Sequence, residues 1–158
     1  LRHIGGRSLA EAFEQQAVGM FGYMTDLATV DLGTEDLVTV SVSGHDLHSL
    51  LYNFLDELLF QFSTELLICK EVRVTHLDRD TFTITAVGYE QEERERERED
   101  LLRQPSLLRI GRHLHSKGEV FQARTKHPQG TEVKAITYSN MQIHETPERV
   151  DIYVILDI

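Results

Sequence analysis

Two anionic groups lie one residue apart at the last two positions, the side chain of Asp157 and the main-chain carboxylate of Ile158. Hard divalent cations take oxygen ligands, so such a pair is the beginning of a cation site. Side chains alternate across a strand, and in Val154-Ile155-Leu156-Asp157-Ile158 this lets Asp157 project from a sheet whose neighbours Val154 and Leu156 are buried. Two carboxylates do not complete a coordination shell. Taken alone they read as a solvated terminus, and a third ligand has to come from elsewhere. Lys134 is the second candidate. In Thr131-Glu132-Val133-Lys134-Ala135-Ile136-Thr137-Tyr138 the period-two pattern sets Val133, Ala135 and Thr137 on one face and Lys134, Ile136 and Tyr138 on the other. A lysine among apolar face-mates is either an edge charge protecting an exposed strand, the default reading, or a functional group.

The remaining reactive residue types assemble nothing comparable. The eight histidines are scattered, with no HExxH, EF-hand loop or CxxC among them. His45, His48, His76 and His144 read as surface or partly satisfied side chains, and His113 and His115 fall in a stretch of different composition. The one cysteine, Cys69, follows Leu66-Leu67-Ile68. It reads as a small buried hydrophobe before it reads as a reactive thiol. One thiol makes no internal disulfide and no thiolate zinc cluster, which points to a reducing compartment. There is no G-x-S-x-G elbow and no glycine-rich phosphate loop. Gly5-Gly6 before the first helix signal could hold an anion but reads as a turn.

Bulk composition narrows the function classes. A formal net charge of −10 argues against broad contact with phosphates, since Lys and Arg dominate nucleic-acid affinity; a basic protein partner or a cation suits the chain better. At 158 residues, 41% hydrophobic and 27% charged, one domain with a real core is expected over 1–158. No apolar stretch approaches the ~20 residues needed to span a bilayer and no signal-peptide pattern opens the chain. A soluble protein of the cytoplasm and nucleus is expected, with no membrane partner.

The elements that must position these groups follow from periodicity. Ser8-Leu9-Ala10-Glu11 has capping-box spacing, and Leu9, Ala12, Phe13, Ala17, Met20, Phe21 and Met24 predict a helix to about Tyr23. Leu37 to Val42 alternates as a half-buried strand that Gly44 breaks, and Asp46 caps a second helix through about Phe62 with a wide apolar face. Leu66 to Ile68, Glu71 to Leu77 and Thr81 to Val87 read as strands, the last two joined through Asp78-Arg79-Asp80 as a hairpin. Glu119 to Ala123, Thr131 to Ser139, Met141 to His144 and Ile152 to Ile158 add extended segments. The predicted fold is α+β, a two-layer sandwich of a largely antiparallel sheet with two main helices packed on it. Residues 90–117 interrupt it: Glu90 to Asp100 is dense in charge without an apolar stripe, and Leu101 to Lys117 carries Arg103, Arg109, Arg112 and Lys117 without an acid. A charged insertion or loop is expected there, with a basic patch facing RNA as the functional alternative.

Read together, these segments resemble a known family. Lys126-His127-Pro128-Gln129-Gly130-Thr131-Glu132-Val133-Lys134-Ala135-Ile136-Thr137-Tyr138-Ser139 looks like the signature stretch of animal archeases, and the ending Val154 to Ile158 is similar to theirs. Glu11 to Glu14 through Met20 to Asp26, and Leu50 to Glu57, resemble the family's two helices. The likeness covers nearly all the chain outside Glu90 to about Lys117.

The resemblance implies a metal-binding activator that is not itself an enzyme. It would assist an RtcB-type RNA ligase complex in tRNA splicing, promoting guanylylation and multiple turnover of the ligase, with unconventional mRNA splicing as a further setting, and would meet RNA through the ligase. It carries the family's C-terminal metal ligand onto Asp157, with Ile158 contributing through its main chain, and matches Lys134 to a lysine implicated in ligase activation. The implied metal is calcium or manganese. The family's segment similar to Asp-His-Thr-Ala-Asp, whose last Asp completes that site, should lie just before Leu1, so the metal site is expected to be incomplete and the start truncated. The alternative is a chaperone-like or scaffold protein that binds partners without metal-dependent action, which a metal titration would separate from the first reading.

Overall fold

The computed structural model describes residues 2–30, 35–90 and 128–158. Their elements run β1 (Arg2–Gly6), α1 (Leu9–Met24), β2 (Glu35–Ser43), α2 (Leu47–Glu65), β3 (Glu71–Asp78), β4 (Thr83–Glu90), β5 (Ala135–Glu145) and β6 (Val150–Asp157). Both helices start where their caps dictate. The Ser8 hydroxyl accepts from the Glu11 N–H at 3.2 Å, while the Glu11 carboxylate reaches one residue past the cap to the Arg7 N–H. At α2, Asp46 accepts from the Ser49 N–H at 2.7 Å and the Ser49 hydroxyl accepts from the Asp46 N–H at 3.0 Å, a closed reciprocal cap. The backbone hydrogen bond from Ser49, followed by that from its hydroxyl, holds the Asp46 carboxyl below the usual carboxylate range.

The described strands form two antiparallel three-stranded sheets, ordered β1-β6-β5 and β2-β4-β3. Each helix packs on a strand of both, α1 on β1 and β3, α2 on β2 and β5. Two sheets and two helices therefore share one core, in which Phe13 of α1 stacks on Phe54 of α2 at 5.8 Å beside buried Met20, Leu50, Leu51, Leu55, Ile84, Ile152 and Val154. This is the expected α+β sandwich, its antiparallel strands divided between two sheets.

Two polar contacts tie the layers. The register of β3 slips between Val74 and His76, and the Val74 N–H finds the Glu14 carboxylate of α1 at 2.7 Å. Across the sheets, Arg79 at the β3–β4 turn makes a two-pronged ion pair with Glu145 of β5 at 2.9 and 2.8 Å, a geometry that fits a planar guanidinium to a carboxylate. The predicted hairpin is present, its turn closed by the Asp78 carboxylate accepting from the N–H groups of Asp80 and Thr81.

Three local expectations change. Leu66 to Ile68 is none of these strands: α2 runs on to Glu65 and Leu66 ends it in the left-handed region, φ 58°. Gly5-Gly6 is no turn but the end of β1, where Gly6 passes so close to α1 that an added Cβ would lie 2.6 Å from the Ala12 N. The separate segments ending at Ser139 and starting at Met141 are one strand, bent where four residues, Tyr138 to Met141, bulge between the Thr137 and Gln142 pairings; Asn140 takes φ 57° there. The expected strand Glu119 to Ala123, the basic residues Arg103, Arg109, Arg112 and Lys117, and all of the 90–117 stretch after Glu90 lie outside the described residues.

Candidate functional site at the end of β6

The site begins with segment 128–134, which has no regular secondary structure apart from one isolated bridge and lies across the C-terminal end of α1. The Gly130 N–H donates to the Met24 carbonyl at 2.8 Å and the Thr131 N–H to the Tyr23 carbonyl at 2.9 Å. The buried Thr25 hydroxyl donates to the Pro128 carbonyl at 2.9 Å, and Thr25 bridges Gln129. The last turn of a helix leaves carbonyls without intrahelical donors, so the segment satisfies α1 as α1 holds the segment. Only a glycine fits at position 130, where a Cβ would sit 2.5 Å from the Tyr23 carbonyl oxygen.

From there the chain drops Val133 into the core, with 4% exposure, turns Lys134 outward and enters β5 at Ala135. The Lys134 N–H donates to the Asp157 carbonyl oxygen at 2.8 Å, one step beyond the Ala135–Asp157 pair of the β5–β6 ladder. Lys134 and Asp157, distant in sequence, are thus direct neighbours. The side chains of both, and that of Ile158, are exposed.

The expected face assignment for Lys134 does not hold. Ile136 is 4% exposed whereas Lys134 is exposed, because alternation starts only at Ala135 and the residues before it are not strand. Val154 is buried as expected and Leu156 partly so.

The scattered histidines stay scattered. His45 lies beside Asp46, His144 pairs with the Gln142 side chain and meets Tyr153 edge-on, and His76 is exposed on β3. Cys69 is buried, as a small core residue should be. His113 and His115 lie outside the described residues.

The segments that meet here are also those that match known proteins. The model of the Archease protein family (MTH1598/TM1083) matches residues 2–102 and 109–158. The chain belongs to the archease family. Protein archease of Danio rerio is 47% identical over 157 residues, spanning 99% of this chain and 77% of its own length. Protein archease-like of Dictyostelium discoideum is 42% identical over 159 residues, 99% of this chain and 85% of its own. The solution structure of Methanobacterium thermoautotrophicum Protein 1598 superposes with a TM-score of 0.60 at 28% identity, covering 99% of this chain and 89% of that one. The archease match enters much of the stretch read as an insertion and leaves only 103–108 between its two parts.

In this archease-family chain the fit to a divalent ion can be tested on the donor set. Calcium takes six to eight oxygens and magnesium six. Asp157 offers one carboxylate and Ile158 its main-chain oxygens, and among the described residues no three His, Cys, Asp or Glu side chains come together anywhere. The described residues do not by themselves fit a resident divalent cation. What they build is a main-chain link between Lys134 and Asp157 at the end of β6, with both side chains exposed.

Sequence reasoning missed the seating of 128–131 on α1. Its signals were the glycine inside the tract and the threonine just past α1. Tyr138 at the far end of the tract meets Tyr52 of α2 edge-on at 5.8 Å, so the resembling tract touches both resembling helices.

Proposed function

We propose that this archease-family chain is a non-catalytic accessory factor of a tRNA-splicing RNA ligase complex, promoting guanylylation and repeated turnover of an RtcB-type ligase. The observation that carries the reading is the juxtaposition of Lys134 and Asp157, joined through the backbone at 2.8 Å with both side chains exposed. A lysine ammonium supplies three donors and a positive charge, and a carboxylate accepts from up to four directions. Fixed as neighbours, they offer a partner a donor and an acceptor with little conformational entropy left to lose in the backbone. The net charge of −10 favours encounter with a basic, RNA-binding enzyme, since complementary fields raise association rates. The described residues gather the Asp157 carboxylate and the Ile158 main chain rather than a coordination shell, so a bound ion plays no part in this reading.

The deciding experiment is single-turnover and multiple-turnover guanylylation of a cognate ligase with GTP, with the chain added below the ligase concentration. Acceleration of many turnovers per chain supports the accessory role; an unchanged rate at every ratio overturns it.

A further inference from the structure

We propose that Thr25 is a positioning residue for the Lys134–Asp157 pair, acting through the segment 128–134; this rests on the reading that the pair acts on the ligase. Thr25 is 2% exposed, an unusual place for a hydroxyl at a helix end. Its main chain closes α1, its N–H donating to the Phe21 carbonyl at 3.1 Å, while its hydroxyl turns the other way and donates to the Pro128 carbonyl at 2.9 Å. One residue thereby couples the end of a core helix to the start of the segment that carries Lys134.

Beyond that anchor the path has little freedom. The Gly130 and Thr131 N–H groups are held by the Met24 and Tyr23 carbonyls, Val133 is buried, and three residues beyond Thr131 the Lys134 N–H is held by Asp157. A shift at Pro128 or Gly130 has few residues in which to be absorbed before Lys134, because the segment is pinned at both ends. The buried helix end sets where the exposed lysine stands. Thr25 touches no reacting group.

The test uses the whole chain, three variants of the anchor and segment, Lys134→Met, and one control. Thr25→Val keeps the shape and removes the donor, Thr25→Ser keeps the donor, and Gly130→Ala forces a methyl against the Tyr23 carbonyl, where 2.5 Å is available. Arg79→Gln, which breaks the ion pair with Glu145 elsewhere on the surface, serves as a control for general loss of stability.

Amide exchange is read first and needs no ligase. The Gly130, Thr131 and Lys134 amides are expected to exchange about fivefold faster in Thr25→Val, the effect of one hydrogen bond, to return to within about twofold in Thr25→Ser, and to accelerate further in Gly130→Ala. Unchanged exchange in both Thr25→Val and Gly130→Ala overturns the positioning claim whatever the ligase does.

Guanylylation is read second. The concentration giving half-maximal stimulation is expected to rise at least several-fold in Thr25→Val and Gly130→Ala and to recover in Thr25→Ser, with Arg79→Gln unchanged. Faster exchange with undiminished stimulation, while Lys134→Met abolishes it, overturns positioning and leaves the accessory role standing. No stimulation by the unaltered chain overturns the accessory role and with it this proposal, whereas altered exchange would still record the mechanical link.

Discussion

The backbone N–H of Lys134 points at the carbonyl oxygen of Asp157, 2.8 Å away, and not at its carboxylate. The two residues are therefore joined by main-chain atoms that no side-chain substitution removes. Function and architecture can be separated at these positions, which is uncommon for a site built on a strand end.

Lys134→Met keeps the stem and the N–H but removes the charge. Because the side chain is exposed, stability should change by no more than about 0.5 kcal/mol. Ligase stimulation should fall about tenfold or more, the loss of a charge-assisted contact worth roughly 1.5–3 kcal/mol. Thermal unfolding and guanylylation measured on the same preparation check both parts.

Asp157→Asn leaves the carbonyl that Lys134 uses and replaces only the carboxylate. Protection of the Lys134 amide should be retained while stimulation drops. Full stimulation by this variant would remove Asp157 from the site.

Gln16 is fully buried in the middle of α1, and neither its Nε2 nor its Oε1 has a hydrogen-bond partner among the described residues. A buried amide left unpaired costs about 1–3 kcal/mol, and methionine has nearly its volume. Gln16→Met should raise the unfolding free energy by about that amount, read as a higher denaturant midpoint with an unchanged slope of the transition. A lowered midpoint would show that the amide is satisfied after all.

Asp46 carries the pH dependence that the structure predicts for α2. Its carboxyl titrates below its ordinary value of 3.8 in the folded chain because Ser49 donates to it. The capping contribution is complete above the ordinary value and is lost as pH falls through the lower folded-state value. Asp46→Ala should cost about 0.5–2 kcal/mol at neutral pH. The gap between the two proteins should close under acid. Urea unfolding at pH 7 and at pH 3 measures it.

Much of the fold could be read from periodicity and caps. Ser8 and Asp46 start their helices as expected, and the Asp78 turn joins its hairpin, because each of these depends on neighbours within a few residues. Leu66 was misread because a left-handed helix end looks apolar and extended in sequence. The spacing of Lys134 suggested a strand face it does not occupy, since the pinning of 128–131 on α1 delays β5 until Ala135. That contact joins Thr25 to Pro128, far apart along the chain, and no local pattern records it. The resemblance pointed to Asp157 and Lys134 separately; that they are neighbours is a matter of β5–β6 register, which only the folded chain displays.

The pairing of β1 with β6 has a consequence for how the molecule is made. Among the described strands Arg2 to Gly6 pair with Val150 to Val154, so β1 has no partner strand there until β6 is made. The sheet of β2, β3 and β4 draws on a continuous stretch of chain and can assemble during synthesis, whereas contacts of high sequence separation form late and slowly. Asp157 is the final residue of that late strand, and Lys134 is secured only when it arrives. A chain clipped before β6 keeps β2, β3 and β4 but loses the main-chain bond that joins Lys134 to Asp157, so one cut far from Lys134 dismantles the pair.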